Sequence, residues 1–208
     1  MRLKLFMSAY LCFCFHYDFS FAQNNVNENI TPKNEFMIWG GVSPDSNKLI
    51  GMTENARLGV MALRYARLFR PGRHIHLKYT MDAIPVSYLS FPTTAGDDTL
   101  GIEEKRKSVY GWGFSPVGLQ INFGRQRKLQ PFISTSGGFI YFSEPVPSAL
   151  GKNFNFTADF GIGVQYFLRD NKAVTIGYKY HHLSNAYRGE ENPGFDSNLF
   201  YVGFSFFK

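Results

Sequence analysis

The sequence predicts an all-β protein, an eight-stranded antiparallel transmembrane β-barrel of the outer membrane, on three observations. Residues 153–168, NFNFTADFGIGVQYFL, place apolar side chains at every second position, with polar residues or glycine between them. The same alternation recurs along the chain and gives eight predicted strands, an even number, as in bacterial outer-membrane barrels. The connections alternate between tight turns and long loops, as they do between the two rims of such a barrel.

The predicted strands differ in how regular their alternation is. Residues 74–83 are regular, and their polar face carries Lys78 and Asp82, charges that the core of a soluble sandwich would not accept unpaired. Residues 36–43, 55–69 and 131–142 are less regular. The eight predicted strands are 36–43, 55–69, 74–83, 117–123, 131–142, 153–168, 173–186 and 197–207.

The connections predict which rim faces outward. Tight turns are expected at 70–73, 124–128 and 169–171, and long loops near 44–54, 90–106, 143–152 and 187–196. With the N-terminus in the periplasm, the long loops face outward. An eight-stranded barrel is only wide enough for side chains to fill. We therefore expect Lys78, Asp82, Asp159 and Lys179 to form an interior polar network that excludes a pore.

The N-terminus resembles a secretory signal peptide over residues 1–22, which leaves residues 23–208 as the barrel. Arg2 and Lys4 precede an apolar stretch at 5–15, and Ser20-Phe21-Ala22 fits the cleavage site. Both cysteines, Cys12 and Cys14, lie in this segment, so no disulfide or thiolate metal site is expected in the mature chain.

Composition limits the possible partners. The net charge of +6 suits an anionic partner, but nucleic acid is not expected for a secreted chain. His74 and His76 form a His-x-His pair with no third ligand at a recognisable spacing, so no metal site is predicted.

The segment after residues 174–180 breaks the apolar pattern on the lipid-facing side. His182 and Ser184 continue the outward parity of Tyr178. If the last hairpin closes so that Tyr178 faces Phe200, then His182 faces Asp196 on the neighbouring strand. A polar group on a lipid-facing surface is costly, so these residues predict a functional site.

The three residues suit nucleophilic catalysis. A serine hydroxyl needs a base to take its proton, a histidine provides that base, and a carboxylate orients and stabilises the imidazole. The parity therefore predicts a nucleophilic catalytic site made of Ser184, His182 and Asp196. This chemistry needs no cofactor.

The motifs H-L-S-N-A at 182–186 and N-P-G-F-D at 192–196 are similar to those of the lipid A 3-O-deacylase (PagL-like) family, as is GFSPVGLQINFG at 113–124. The resemblance implies hydrolysis of the ester-linked 3-O-acyl chain of lipid A, with lipopolysaccharide as substrate and the site toward the outer leaflet. It implies that His182 is the general base and Ser184 the nucleophile. Asn192 is implied as the oxyanion donor, and Asn185 matches the family pattern with a less defined role.

The acidic residue departs from the family pattern. The resemblance leads us to expect glutamate where this chain has Asp196, whose side chain is one methylene shorter. A closer backbone would compensate, or Glu190 or Glu191 would replace it from the loop.

Two other functional classes fit parts of the sequence. A non-enzymatic outer-membrane barrel would act in adhesion or envelope integrity, and a secreted soluble barrel would bind an apolar ligand against an inward apolar face. The basic groups at 105–107 and Arg188 lie at the ends of outward loops. There they would reach lipid A phosphates or remain solvated.

Overall fold

The structure is a closed antiparallel β-barrel. A computed structural model describes residues 33–71, 75–94, 105–124 and 127–208. The predicted signal peptide and His74 lie outside these residues. Each long strand pairs with its neighbours in chain order, and pairing of the first strand with the last closes the sheet. The predicted fold class is confirmed.

Eight strands are long, and one strand of two residues adds to the last of them. The strands are β1 Asn34–Ser43, β2 Ser46–Asn47, β3 Arg57–Pro71, β4 Ile75–Thr94, β5 Lys105–Phe123, β6 Leu129–Val146, β7 Lys152–Arg169, β8 Lys172–Ser184 and β9 Phe195–Phe207. The short strand β2 pairs with the start of β9. It lies in the predicted long loop at 44–54.

Strands β4 and β5 extend well beyond the residues predicted for them, and β6 extends to Val146, so the loops predicted at 90–106 and 143–152 were too long. The β4–β5 register shifts between Ile84 and Ser87, and the β5–β6 register shifts between Phe114 and Val117. A bulge adds a residue to one strand and interrupts the alternation of faces. A prediction that follows strict alternation therefore places the end of β4 and the start of β5 at these bulges, although both strands continue beyond them.

The barrel interior is polar in its middle and apolar toward the rim with the long loops. The predicted network is confirmed, and its ion pairs include Arg64–Asp82 at 2.7 Å, Lys78–Glu35 at 2.7 Å and Lys179–Asp159 at 3.7 Å. Buried apolar residues fill the rim: Leu89, Phe91, Val109, Ile140, Phe142, Leu183 and Phe195. Side chains thus fill the lumen at both levels.

The outer surface is apolar on every long strand. Its exposed side chains include Ile38, Met61, Val86, Trp112, Ile133, Phe160, Ile176 and Val202. An apolar exterior around a charged interior is the arrangement of a membrane barrel. It is the reverse of the inward apolar face required by the soluble-barrel alternative. Within the described residues, no helix is long and apolar enough to cross a membrane.

Candidate active site

The β8–β9 hairpin has the register that the outward parity predicted. Tyr178 lies opposite Phe200, and His182 lies opposite Asp196. Side chains directly opposite each other in an antiparallel pair are close enough to interact. The register therefore brings the histidine and the carboxylate together on the outward face.

His182 and Asp196 are joined by a hydrogen bond. The distance from His182 Nδ1 to Asp196 Oδ1 is 2.7 Å. An ionised carboxylate only accepts hydrogen bonds, so Nδ1 carries a proton, and in the neutral imidazole Nε2 is the acceptor. Asp196 thus reaches the imidazole directly, although its side chain is one methylene shorter than that of glutamate.

Asp196 is fully buried, although its parity predicted a lipid-facing side chain. The cause is the segment between β2 and β3, which folds over the start of β9. Asp196 Oδ2 accepts hydrogen bonds from the peptide N–H groups of Leu49 at 2.9 Å, Ile50 at 2.6 Å and Gly51 at 2.8 Å. Hydrogen bonds of this kind favour the charged carboxylate.

Ser184 ends β8, two residues beyond His182 on the same face of the strand. It is half-buried and lies directly opposite Phe156 of β7. Its hydroxyl makes no hydrogen bond to another residue in the described parts of the chain, and the structure does not join it to His182. Catalytic hydrogen bonds often tighten only when substrate is bound.

The two asparagines shape the loop at 185–194. The Asn192 Oδ1 atom accepts from the Asn185 peptide N–H at 2.8 Å. The Asn185 side chain is buried and donates through Nδ2 to the Glu191 carbonyl at 2.6 Å. Asn185 thus holds the loop with both its peptide N–H and its amide group.

The loop glutamates do not contact the histidine. Glu191 Oε2 accepts from the Ser148 hydroxyl at 2.6 Å, and the Glu190 side chain is exposed. Asp196, rather than Glu190 or Glu191, is the carboxylate hydrogen-bonded to His182.

The predicted phosphate-binding cations have different surroundings. Arg106 donates to the carbonyls of Asn55 and Ser90, and Lys107 pairs with Glu144 at 2.7 Å. These contacts engage both side chains within the barrel rim.

Arg188 lies over two aromatic rings of β7. Its guanidinium lies 5.7 Å from the ring centroid of Phe154 and 6.0 Å from that of Phe156, the residue opposite Ser184. Both distances suit cation–π contact. Among the contacts of the predicted cations described above, that of Arg188 with Phe156 reaches the residue paired with Ser184.

Histidine and acidic residues form no metal-binding cluster in the described ranges, which omit His74. The interior His181 contacts Asp159 through Nδ1, as expected from its inward parity.

Sequence reasoning missed the residues that surround Asp196 from the β2–β3 segment. Leu49, Ile50 and Gly51 are almost 150 positions away from Asp196 in the chain. The sequence signal for them is slight: a glycine after an apolar pair in a loop. Gly194, within the N-P-G-F-D motif, has φ of +67°, and a Cβ there would lie 3.3 Å from His182 Cε1.

Comparison with known proteins gives the same fold and a family. The model of the family described as lipid A 3-O-deacylase (PagL) matches residues 74–205, more than half of the chain. The crystal structure of the outer membrane enzyme PagL is similar, with a TM-score of 0.59 and 18% identity over 80% of this chain and 97% of that chain.

Two further outer-membrane barrels are similar at lower scores. OprG from Pseudomonas aeruginosa has a TM-score of 0.46 and 12% identity over 84% of this chain and 95% of its own. Neisserial surface protein A has a TM-score of 0.45 and 12% identity over 84% and 97%. No curated protein sequence matches the chain. The matched family model, which spans β8 and most of β9 with the His182–Asp196 pair, shows that the chain belongs to the lipid A 3-O-deacylase (PagL) family.

Proposed function

We propose that this protein is an outer-membrane serine esterase that removes the ester-linked 3-O-acyl chain of lipid A. The observation that carries the proposal is the His182–Asp196 hydrogen bond on the outward face of β8 and β9, with Ser184 on the same face. The family supports the substrate class, and the site is assigned to the outer leaflet because the long connections surround it.

The reaction proceeds through an acyl-enzyme. Ser184 Oγ attacks the ester carbonyl carbon while His182 Nε2 takes the hydroxyl proton. Asp196 keeps the other ring nitrogen protonated and stabilises the imidazolium. The intermediate collapses, the C–O bond to the sugar breaks, and His182 returns the proton to the sugar oxygen. Water then hydrolyses the Ser184 ester by the same proton transfers and releases a fatty acid.

Asn192 is the proposed oxyanion donor. Its Oδ1 is held by the Asn185 peptide N–H, so the amide plane is fixed from the oxygen side. The Nδ2 donors remain available, since they make no hydrogen bond to the part of the chain that the structure describes. Preorganised donors of this kind are among the largest contributions to catalysis in acyl transfer. Asn185 is proposed as the residue that positions Asn192 rather than as a second donor.

The surroundings of Ser184 suit an acyl chain attached to an anionic head group. Phe156 lies beside Ser184, and aromatic contacts extend through Phe154 and Phe139 to Trp112 on the outer surface. Aromatic girdles mark the interface levels of outer-membrane barrels. Arg188, above this row, is proposed to bind a lipid A phosphate.

The test is mass spectrometry of lipid A from cells that express the wild type, Ser184→Ala or Ser108→Ala. Ser108 is the matched control because it is an exposed serine on the distant strand β5. We expect loss of one ester-linked acyl chain with the wild type and with Ser108→Ala, and intact lipid A with Ser184→Ala. Heat-modifiable gel mobility checks that all three barrels fold. Intact lipid A with a folded wild-type barrel would reject the deacylase proposal and favour the non-enzymatic alternative.

A further inference from the structure

We propose that residues 48–52 form a lipid-docked clamp, whose peptide N–H groups fix the catalytic carboxylate and whose apolar side chains bind fatty acyl chains. The inference rests on the proposed function and deepens it. It adds a positioning element and an acyl-contact surface that lie outside the matched region at 74–205.

The backbone half of the clamp surrounds one carboxylate oxygen. The N–H groups of Leu49, Ile50 and Gly51 all donate to Asp196 Oδ2, which leaves Oδ1 for His182. One oxygen is therefore held by backbone and the other by the imidazole. Rotation of the carboxylate would break both sets of hydrogen bonds, so the clamp fixes the plane in which His182 is oriented.

The segment is itself tied to the loop that precedes β9. The Met52 N–H donates to the Pro193 carbonyl at 2.6 Å, and the Thr53 N–H donates to the Gly194 carbonyl at 3.3 Å. Thr53 also forms a bridge with Phe195. These contacts join the clamp to the loop that carries Asn192.

Gly51 allows the close approach. A Cβ at this position would lie 3.0 Å from the Gly194 carbonyl carbon, 3.0 Å from the Phe195 nitrogen and 3.1 Å from Asp196 Oδ1. Two of these atoms are backbone and cannot move aside as a flexible side chain can. Gly51→Ala is therefore expected to lift the segment off Asp196.

The side-chain half of the clamp faces away from the barrel. Leu49 is 75% exposed, Ile50 64% and Met52 71%. Three large exposed apolar side chains within one segment of four residues make an apolar patch of the kind that marks a binding surface.

The patch adjoins the apolar surface of β1 and β9 at the rim that carries the long loops. Exposed Val42 and Phe200 pair on that surface. Asp196 lies four residues before Phe200, near the start of β9, where the clamp covers it. An acyl chain lying along the barrel would reach the patch and the catalytic residues together. We therefore expect fatty acyl chains to occupy this apolar patch.

The backbone half is tested by nuclear magnetic resonance of the full protein in lipid nanodiscs, together with hydrolysis kinetics. We expect Gly51→Ala to abolish or shift the downfield His182 Nδ1 proton resonance. We expect kcat to fall about 10- to 100-fold, as for a displaced catalytic group, with KM changed less than about twofold. The matched control is Gly59→Ala, where a Cβ would lie 4.0 Å from its nearest neighbour, Tyr88 Cβ. An unchanged resonance in Gly51→Ala would overturn the clamp.

A second variant decides the matter if Gly51→Ala does not fold. Asp196→Glu retains the acid but adds a methylene inside the clamp. We expect it to lose the His182 Nδ1 resonance and most of the activity, because the three N–H groups are placed for the shorter side chain. Full activity with an unchanged resonance would contradict the proposal.

The side-chain half is tested with phosphatidylcholine that carries a doxyl spin label in its acyl chain. We expect the methyl resonances of Leu49 and Ile50 to broaden in labelled nanodiscs and to be little affected by a water-soluble gadolinium chelate. The reverse pattern would overturn acyl contact. Both resonance measurements decide the inference even if the wild type hydrolyses no lipid, which would reject only the proposed function.

Kinetics provide a further check on acyl contact. We expect Leu49→Ser combined with Ile50→Ser to lower activity on lipid A vesicles at least about tenfold, with a change below about threefold on a water-soluble short-chain ester. The control is Leu150→Ser, an exposed apolar residue of the β6–β7 connection. An equal loss on both esters would show a purely structural effect and contradict the acyl site.

Discussion

Two adjacent histidines, His181 and His182, make the same contact on opposite sides of the barrel wall. Each joins an aspartate through Nδ1, His181 to Asp159 inside and His182 to Asp196 outside. Both aspartates are buried.

The inner pair also has a serine nearby, but in a different arrangement. The Ser136 hydroxyl donates to Asp159 Oδ2 at 2.6 Å, so the acid lies between the serine and the histidine. Lys179 lies 3.7 Å from the same carboxylate. In the outer pair, Ser184 instead lies on the same strand and the same face as His182, two residues beyond it. Whether a His–Asp pair is a structural contact or a candidate catalytic one therefore depends on which face of the barrel it occupies and on which residues surround it.

The largest expected difference is between the two histidines. His182→Gln should lower deacylation about 10⁵-fold, because the proposed general base is lost, whereas His181→Gln should leave it within about threefold. Lipid A mass spectrometry over a time course measures both. Comparable losses from the two variants, with both barrels folded, would reject the distinction between the inner and outer pairs.

The two aspartates should separate activity from stability. Asp196→Asn should lower kcat about 10³- to 10⁴-fold, because one amide cannot accept from both the clamp and His182 Nδ1. Asp159→Asn should mainly destabilise the barrel, by about 3 to 5 kcal/mol, since it leaves Lys179 without this buried partner. Urea unfolding in lipid vesicles and initial rates measure the two effects. An Asp196→Asn variant with wild-type kcat would exclude the triad.

The smallest effect concerns a cation at the edge of the outer site. Arg188→Gln should raise KM about five- to tenfold for bisphosphorylated lipid A and leave kcat nearly unchanged, since one charge-assisted contact is lost. Lipid A without phosphates should be hydrolysed equally by both proteins. The same loss on both substrates would argue for a packing role over Phe154 and Phe156.

The β8–β9 hairpin shows how much of the site is predictable from sequence. Side chains alternate strictly along a strand, so parity is a local property, and one correct pairing fixes all the others. The pairing of Tyr178 with Phe200 therefore placed His182 opposite Asp196, as the structure confirms. The interior position of Lys78 and Lys179 followed from the same rule.

Strands β4 and β5 show where that rule stops. Bulges near Pro85 and Pro116 shift the faces, and the residues beyond them no longer have the parity of those before. Pairing with the neighbouring strand decides where such a shift occurs, and the alternation within one segment does not predict that pairing.

The barrel, the parity of His182 and Ser184, and the partner strand of β8 were predictable from sequence, because each depends on alternation within one or two neighbouring segments. The burial of Asp196 and its hydrogen bonds to Leu49, Ile50 and Gly51 emerge only in the folded chain. These residues are far apart in sequence, and closure of β1 on β9 brings the first long connection onto the last strand. Peptide N–H groups, which have no residue-specific signature, then form the contact.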